Sequence, residues 1–180
     1  PSPVAATFTL GADAAVSSIS TRVRVDRYTP VRAIAKLSDG SLHMTETYVK
    51  ASGGCSAPMA KDQDDALANM GKMRLRWFNE AVHSEPKNMS KASAQLMIRH
   101  PNNSGLQMDQ ITRYYVPAHF VTKVSVSQGG DQVLAMEGGI SISEDPNFRF
   151  EFESSGKPIE VEASDTEGNS FTQTFAPAES

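Results

Sequence analysis

The sequence lacks the features that mark several large classes of protein. Its 180 residues contain one cysteine, Cys55, so no disulfide can form within the chain. No apolar run approaches the ~20 residues that a membrane-spanning helix needs. There is also no block of lysine and arginine residues, and the net charge is −4. We therefore expect neither a nucleic-acid partner nor a membrane partner.

Motifs that carry enzyme chemistry are missing as well. No glycine-rich phosphate loop follows a strand, and no Ser-His-Asp order suggests a hydrolase. His100 and His119 lie on opposite sides of a long loop, where they form either a structural contact or half of a metal site. We expect the structural role, with no metal and no cofactor. The sequence thus predicts a protein that is not an enzyme and has no catalytic residues.

What the sequence does contain is alternation of apolar and polar residues, which is typical of half-buried β-strands. In the first part of the chain, strands are expected at Val4–Leu10, Thr21–Asp26, Val31–Leu37 and Leu42–Val49, with a hairpin turn at Asp39-Gly40. This is few strands for a closed sandwich, so the first part either is shortened or borrows strands from elsewhere. The residues of the last strand that we expect to pack inward are Leu42, Met44 and Tyr48.

The second part begins with a short helix expected over Asp62–Met70 and continues with about seven strands at short spacing. Seven short strands separated by turn residues predict an antiparallel β-sandwich. In the first of these strands, Arg74 and Arg76 alternate with apolar residues. Such a pair indicates either a solvated strand face or a site for an acidic partner or a bound oxyanion.

Between the two parts lies a segment of small residues, Ala51-Ser52-Gly53-Gly54-Cys55-Ser56-Ala57-Pro58. Two glycines and little apolar surface predict a mobile, exposed arm. A free cysteine has a pKa near ~8.5, and Lys50 and Lys61 flank the arm, where they would favour the thiolate. Cys55 is thus either a reactive thiol or an incidental linker residue.

The order of motifs along the chain resembles two bacterial sulfur-oxidation families. The first part is similar to the C-terminal half of SoxY, the sulfur-carrier subunit of periplasmic thiosulfate oxidation, and the second part to its partner SoxZ. The SoxY-like motifs are Ala5-Ala6-Thr7-Phe8, Ser20-Thr21-Arg22-Val23-Arg24, Thr29-Pro30-Val31, Ser38-Asp39-Gly40 and Val49-Lys50-Ala51-Ser52-Gly53-Gly54-Cys55. The SoxZ-like motifs are Met73-Arg74-Leu75-Arg76, Arg99-His100-Pro101, Ser104-Gly105, Val116-Pro117-Ala118-His119-Phe120 and Ile142-Ser143-Glu144-Asp145-Pro146.

The resemblance implies an all-β fold with two Ig-like antiparallel β-sandwich domains joined by a Gly-rich arm and a short helix. Residues 1–55 would be the C-terminal part of a SoxY-like domain that ends in the arm, residues 56–71 a linker with the helix, and residues 72–180 a SoxZ-like domain. Compared with a full SoxY-like domain the first strands are missing, so we expect a longer precursor or a dimer partner that completes the sheet.

The resemblance also implies the chemistry. Cys55 would carry a sulfur-containing or other small group covalently, on an arm formed by Gly53, Gly54 and Ser56. In SoxY the arm is the free C-terminus, whereas here it is tethered at both ends and can be presented only at a surface or an open cleft. The alternative is a non-covalent docking module in which Cys55 is incidental.

The same resemblance implies a periplasmic location and a set of partners. A single chain with both parts is similar to fused SoxYZ-like carriers associated with quinoprotein (PQQ) dehydrogenases. The expected partners are periplasmic redox or sulfur-metabolism enzymes, among them a PQQ dehydrogenase or a c-type cytochrome. A homodimer is a further expectation, because unpaired strand edges in the short first part would otherwise stay open.

Overall fold

The structure is a computed structural model that describes residues 3–57, 63–78 and 90–178. All strand pairings are antiparallel, and the only helix in these ranges, α1, spans Gln63–Ala68, inside the predicted segment. The strands are β1 Ala6–Leu10, β2 Ser18–Thr21, β3 Thr29–Lys36, β4 Leu42–Val49, β5 Met73–Phe78, β6 Ser90–Ile98, β7 Val121–Gln128, β8 Asp131–Gly138, β9 Asn147–Ser154, β10 Ile159–Asp165 and β11 Ser170–Phe175. The predicted all-β fold with antiparallel sandwich sheets is confirmed.

Two sheets enclose a common core. One has the strand order β1-β8-β7-β10-β11 and the other the order β2-β9-β6-β5. Alternate residues of each strand point into the core, as in β9, where Phe148, Phe150 and Phe152 are buried. Because the neighbouring strand β6 contributes Leu96 and β7 of the facing sheet contributes Val126 in the same way, one continuous apolar cluster forms. The helix lies outside this cluster, whereas the loop between β1 and β2 contributes Ala14 to it.

The first two strands of the chain belong to these same sheets. β1 pairs with β8 in the register Phe8↔Met136, and β2 pairs with β9 in the register Thr21↔Phe148. Phe8 packs edge-on against Phe148, with ring centroids 6.2 Å apart. Strands of the first part thus cover edges of sheets built by the second part. The division of the chain at residues 55/56 and 71/72 remains a prediction.

Two expectations for the first part are wrong. The second strand is Ser18–Thr21, and the predicted Thr21–Asp26 strand forms only an isolated bridge, because the carbonyls of Val25 and Asp26 bond the arm instead of a neighbouring strand. The β3–β4 hairpin forms as predicted, but its side chains do not pack into a core: nearly every residue of both strands is exposed, so both faces of the hairpin are open in the described part of the chain. Its exposed large apolar residues are Val31, Ile34, Leu42, Met44 and Tyr48.

Candidate functional site

The arm, residues 53–57, is attached to the end of the extended 22–26 segment. The backbone N–H of Gly53 donates a hydrogen bond to the carbonyl of Asp26 (2.9 Å), and that of Gly54 to the carbonyl of Val25 (3.1 Å). Gly53 has a φ of +71°, which favours glycine. A Cβ on Gly54 would lie 2.6 Å from the carbonyl oxygen of Val25. Both glycines are therefore needed for close attachment of the arm, in addition to any role in its mobility.

A second contact holds the arm from the opposite side. The hydroxyl of Ser104 donates to the carbonyl oxygen of Cys55, and Nε2 of Gln107 donates to the carbonyl oxygen of Ala57 (3.2 Å). The amide of Gln107 is oriented by its other end, since its Oε1 accepts the backbone N–H of Ser104 (3.0 Å). Within the described ranges, Ser56 forms hydrogen bonds only inside the arm, through its N–H and its hydroxyl to the carbonyl of Gly53. The arm is thus fixed between two parts of the chain that are far apart in sequence.

Cys55 is buried, with 0% of its surface exposed, so the expectation of an exposed thiol is wrong for this structure. The reason is the pair of contacts just described, which close the arm over the molecule. Burial raises the pKa of the Cys55 thiol, and the negative charge of Asp26 raises it further. The thiol is therefore protonated at neutral pH while the arm is closed.

Arg24, which the sequence analysis did not select, is a cation whose charge acts on the Cys55 thiol. Its Nη1 donates to the carbonyl oxygens of Asn102 (2.6 Å) and Ile142 (2.9 Å). Burial lowers the pKa of Arg24, while the charges of Cys55 and Glu144 oppose that change. Conversely, the charge of Arg24 acts to lower the thiol pKa.

The structure does not assign the predicted role to the two flanking lysines. Lys50 is exposed and is not among the groups that act on the Cys55 pKa. Lys61 lies outside the described residues. Arg24 alternates with Val23 and Val25 in the sequence, a pattern that indicated only a strand face. Its burial beside the thiol depends on the 102 and 142 loops, so no local signal marked it.

His100 and His119, whose role the sequence did not decide, lie together in the structure. A third residue, Asp165, which the sequence analysis did not select, contacts both. Nε2 of His119 lies 2.8 Å and Nε2 of His100 lies 3.4 Å from Oδ2 of Asp165, and all three residues are buried. The imidazole centroids are 4.7 Å apart. Asp165 opens the turn Asp-Thr-Glu-Gly-Asn, and its Oδ1 accepts the backbone N–H groups of Glu167 and Asn169. This turn sequence was the available signal for Asp165.

Hydrogen bonding in this cluster favours the structural role over a metal site. Nδ1 of His100 accepts the backbone N–H of Asn102 (3.0 Å), so in the neutral ring the proton is on Nε2, the atom nearest Asp165. A metal bound at Nε2 would move that proton to Nδ1, where it would face the N–H of Asn102. The three candidate ligand atoms lie within 4.8 Å of one another, but the donors are already directed at the carboxylate.

The charge states follow from the same contacts. Burial alone raises the pKa of Asp165, but hydrogen bonds from Asn169, His119 and His100 outweigh it and hold that pKa well below its usual range. Burial lowers the pKa of His100, against the opposing effect of its bond to Asp165. At neutral pH Asp165 is ionised and His100 is neutral.

Asn102 connects this cluster to the arm site. Its backbone N–H bonds His100, its carbonyl accepts from Arg24, and its side-chain Oδ1 accepts the N–H of Val121 (3.1 Å). Asn102 has a φ of +45°, a left-handed conformation that asparagine tolerates better than most residues. The histidine cluster thereby fixes the loop whose next residues, from Ser104 onward, hold Cys55.

Comparisons with known proteins agree with this two-part organisation. The family model described as sulphur oxidation protein SoxZ matches residues 81–176, more than half of the chain. The model described as sulfur oxidation protein SoxY matches residues 1–55 and so ends at Cys55. No curated protein matches the chain.

Members of these two families are carrier or accessory proteins without catalytic activity, and this chain is of that kind. Across the described ranges, no helix is both long and apolar enough to cross a membrane. The chain belongs to the SoxZ family and carries a SoxY segment in the same polypeptide, which makes it a fused SoxYZ-like sulfur-oxidation protein.

Proposed function

We propose that the protein carries a sulfur-containing group covalently on the thiol of Cys55 and presents it to partner enzymes of the periplasm. The observation that carries the proposal is the position of Cys55. It is the sole cysteine, it is the last residue of the SoxY match, and it lies on an arm held by hydrogen bonds rather than by a packed core. A thiol held in this way is protected when the arm is closed and reactive when it is open.

Loading by thiol–disulfide exchange needs no external oxidant. The Cys55 thiolate attacks one sulfur of a donor that contains an S–S bond. A new S–S bond forms at Cys55 Sγ, the donor's S–S bond breaks, and the other half of the donor leaves with the electron pair. The thiol proton goes to solvent. Because the closed arm raises the thiol pKa, we expect loading to occur from the open arm.

Intact mass of the protein from its natural source, before and after a reductant, tests this function. We expect a reductant-sensitive mass increase that maps to Cys55. The Cys55→Ser variant should carry no adduct and keep its fold. A double variant, Cys55→Ser with Ser56→Cys, moves the thiol by one residue and tests whether position matters. Retention of the adduct by Cys55→Ser would show that the carrier proposal is wrong.

A docking module without a covalent role is the second candidate, and one observation favours it. Residues 106–115 form an ordered projection that exposes large apolar side chains, with Ile111 91% exposed. Asp109 fixes the projection by accepting the N–H groups of Ile111 and Thr112. Exposed aromatic and aliphatic side chains on an ordered loop are typical of protein interfaces. The other exposed residues are Leu106, Met108, Tyr114 and Tyr115.

The partner proposed to bind this projection is the enzyme that acts on Cys55. Residues 104 and 107, at the base of the projection, hold the arm, so an enzyme bound there would lie close to Cys55. Partners of the expected kind are a PQQ dehydrogenase or a c-type cytochrome. Binding of either purified protein to wild type, to Cys55→Ser and to Ile111→Ser separates the two functions. Loss of binding with Ile111→Ser alone supports docking through the projection. Binding by Cys55→Ser and by Ile111→Ser that equals binding by wild type argues against it.

We also propose that the protein forms a homodimer through the β3–β4 hairpin. In the described part of the chain no strand pairs with the outer edge of β3 or of β4, and Leu42 is 68% exposed. Open edges of this kind pair readily with another chain. Light scattering of the purified protein tests the dimer, and an Ile34→Lys variant should be monomeric if the hairpin is the interface. A monomeric wild type would exclude it.

A further inference from the structure

A cationic groove lies at one end of the β2-β9-β6-β5 sheet, where the ends of its strands meet the loop before β9. Its volume is about 630 Å³, within the range typical of small-molecule sites. Four of its lining side chains are positively charged and two are carboxylates. These six are Arg22, Lys72, Arg74, Arg99, Glu144 and Asp145.

Not all of these positive charges are paired with a carboxylate in the described part of the chain. Arg99 pairs with Asp145 at 2.9 Å and lies 3.9 Å from Asp65, so its charge is compensated. Arg22 and Arg74 are exposed and have no carboxylate at ion-pair distance in the described part of the chain. Among the described residues, the Lys72 ammonium group donates only to a neutral partner, Oδ1 of Asn69 (2.7 Å). The groove therefore carries an excess of positive charge.

A polar donor lines the same groove. Oδ1 of Asn147 accepts a hydrogen bond from Nε2 of Gln95 (2.8 Å), which fixes the orientation of the Asn147 amide. Its NH₂ group then remains as a donor with no hydrogen-bond acceptor among the described residues. Guanidinium groups match the geometry of tetrahedral oxyanions, and hydrogen bonds from charged donors are stronger than neutral ones.

We propose that this groove binds a dianionic tetrahedral oxyanion of the sulfate or thiosulfate kind, with Arg22 and Arg74 as its main ligands. The groove is larger than one such ion, so water fills the remaining space. The site is independent of Cys55 and of the carrier function, and Cys55→Ser should bind the anion as wild type does. The sequence left two interpretations of the Arg74/Arg76 pair, a solvated strand face and an anion site. In this proposal Arg74 binds the anion and Arg76 does not.

The test is a titration of the full chain with sodium sulfate or sodium thiosulfate at constant ionic strength, followed by NMR chemical shifts. We expect saturable shifts confined to residues 22, 72–74, 97–99 and 144–147, with a Kd on the order of 1 mM. Arg74→Gln and Arg22→Gln should each raise Kd about tenfold.

Arg76→Gln is the matched control. Arg76 lies on the same strand, is exposed, and has its guanidinium 4.9 Å from the centre of the Phe78 ring rather than in the groove. Its substitution should leave Kd unchanged. Shifts that rise linearly without saturation, or that are equal in wild type and Arg74→Gln, would show only non-specific screening of surface charge by the anion. Either result would overturn the proposal. Parallel titration with phosphate shows whether the site distinguishes sulfur from phosphorus oxyanions.

Discussion

The hydroxyl group of Ser104 donates a hydrogen bond to the carbonyl oxygen of Cys55, a residue 49 positions away in the sequence. The same hydroxyl accepts the backbone N–H of Leu106 (3.2 Å), which orients its proton toward the arm. The side chain of Gln107 completes the contact at Ala57. One short segment of the second part therefore controls access to the thiol of the first.

Removal of this hydroxyl should open the arm. In Ser104→Ala the carbonyl of Cys55 loses its partner, at a cost of about 1 kcal/mol for a neutral hydrogen bond. If thiol modification proceeds through the open arm, alkylation by iodoacetamide should be about fivefold faster than in wild type. Ser56→Ala is the control, because the Ser56 hydroxyl bonds only within the arm. Equal rates for Ser104→Ala and wild type would mean that this bond does not limit access.

The two glycines of the arm should respond differently to substitution by alanine. At Gly53 an alanine meets only the strain of a positive φ, about 1 kcal/mol. At Gly54 the new methyl would lie 2.6 Å from a backbone carbonyl oxygen that cannot move without its strand segment. We expect Gly54→Ala to detach the arm and expose Cys55, with a larger rise in alkylation rate than Gly53→Ala. Gly40→Ala, which has strain but no close atoms and lies in the hairpin turn, should leave the rate unchanged.

The His100–Asp165 cluster should make the fold sensitive to acid. Both groups have folded-state pKa values below their ordinary ones, so the unfolded chain binds protons first as pH falls. Stability is complete above the unfolded pKa of histidine, near 6.5. It decreases as pH falls below that value through His100, and decreases again below about 4 through Asp165.

Urea unfolding at pH 7.5, 6.0, 5.0 and 3.5 measures this dependence, with the lowest pH covering the loss through Asp165. Asp165→Asn should lower stability at pH 7.5 by about 2 kcal/mol, because an amide group would face two imidazole donors in a buried site. It should also remove the part of the acid loss that belongs to the carboxylate. His43→Gln is the control, since His43 is exposed on β4 and should not change the pH profile. A wild-type stability that is constant from pH 7.5 to 5.0 would contradict the assignment for His100.

Much of the sandwich could be predicted because its information is local. Phe148, Phe150 and Phe152 alternate with polar residues in one strand, and this period alone places them on one buried face. The hairpin turn at Asp39-Gly40 was also predictable, because glycine adopts the positive φ that such turns require. The other strands of the second part and the short helix were predicted from local sequence patterns in the same way.

The site could not be predicted to the same extent because its contacts are non-local. Composition around Cys55 indicates an exposed arm, and nothing near it in sequence shows that Ser104 and Gln107 close it. His100 and His119 were named as a pair, yet the residue that joins them, Asp165, lies 46 positions beyond His119. The same limit applies to β1, whose own sequence identifies a strand but not its partner β8.

Because β1 pairs with β8, we expect the first and second parts of the chain to unfold as one cooperative unit rather than as two. Phe8 of β1 contacts the core residue Phe148 across the sheets. Phe8→Ala should therefore lower the stability of the whole sandwich, by about 2 kcal/mol for a half-buried phenylalanine, which is less than the 3–5 kcal/mol of a fully buried one. Unfolding followed by tryptophan fluorescence reports on Trp77, which lies in the other part of the chain and packs against the same core. Tyr28→Ala removes an exposed aromatic residue of the first part and should leave the Trp77 transition unchanged. If Phe8→Ala shifted a separate transition while the Trp77 signal stayed as in wild type, residues 1–55 would be an independent domain and β1 would not stabilise the sandwich.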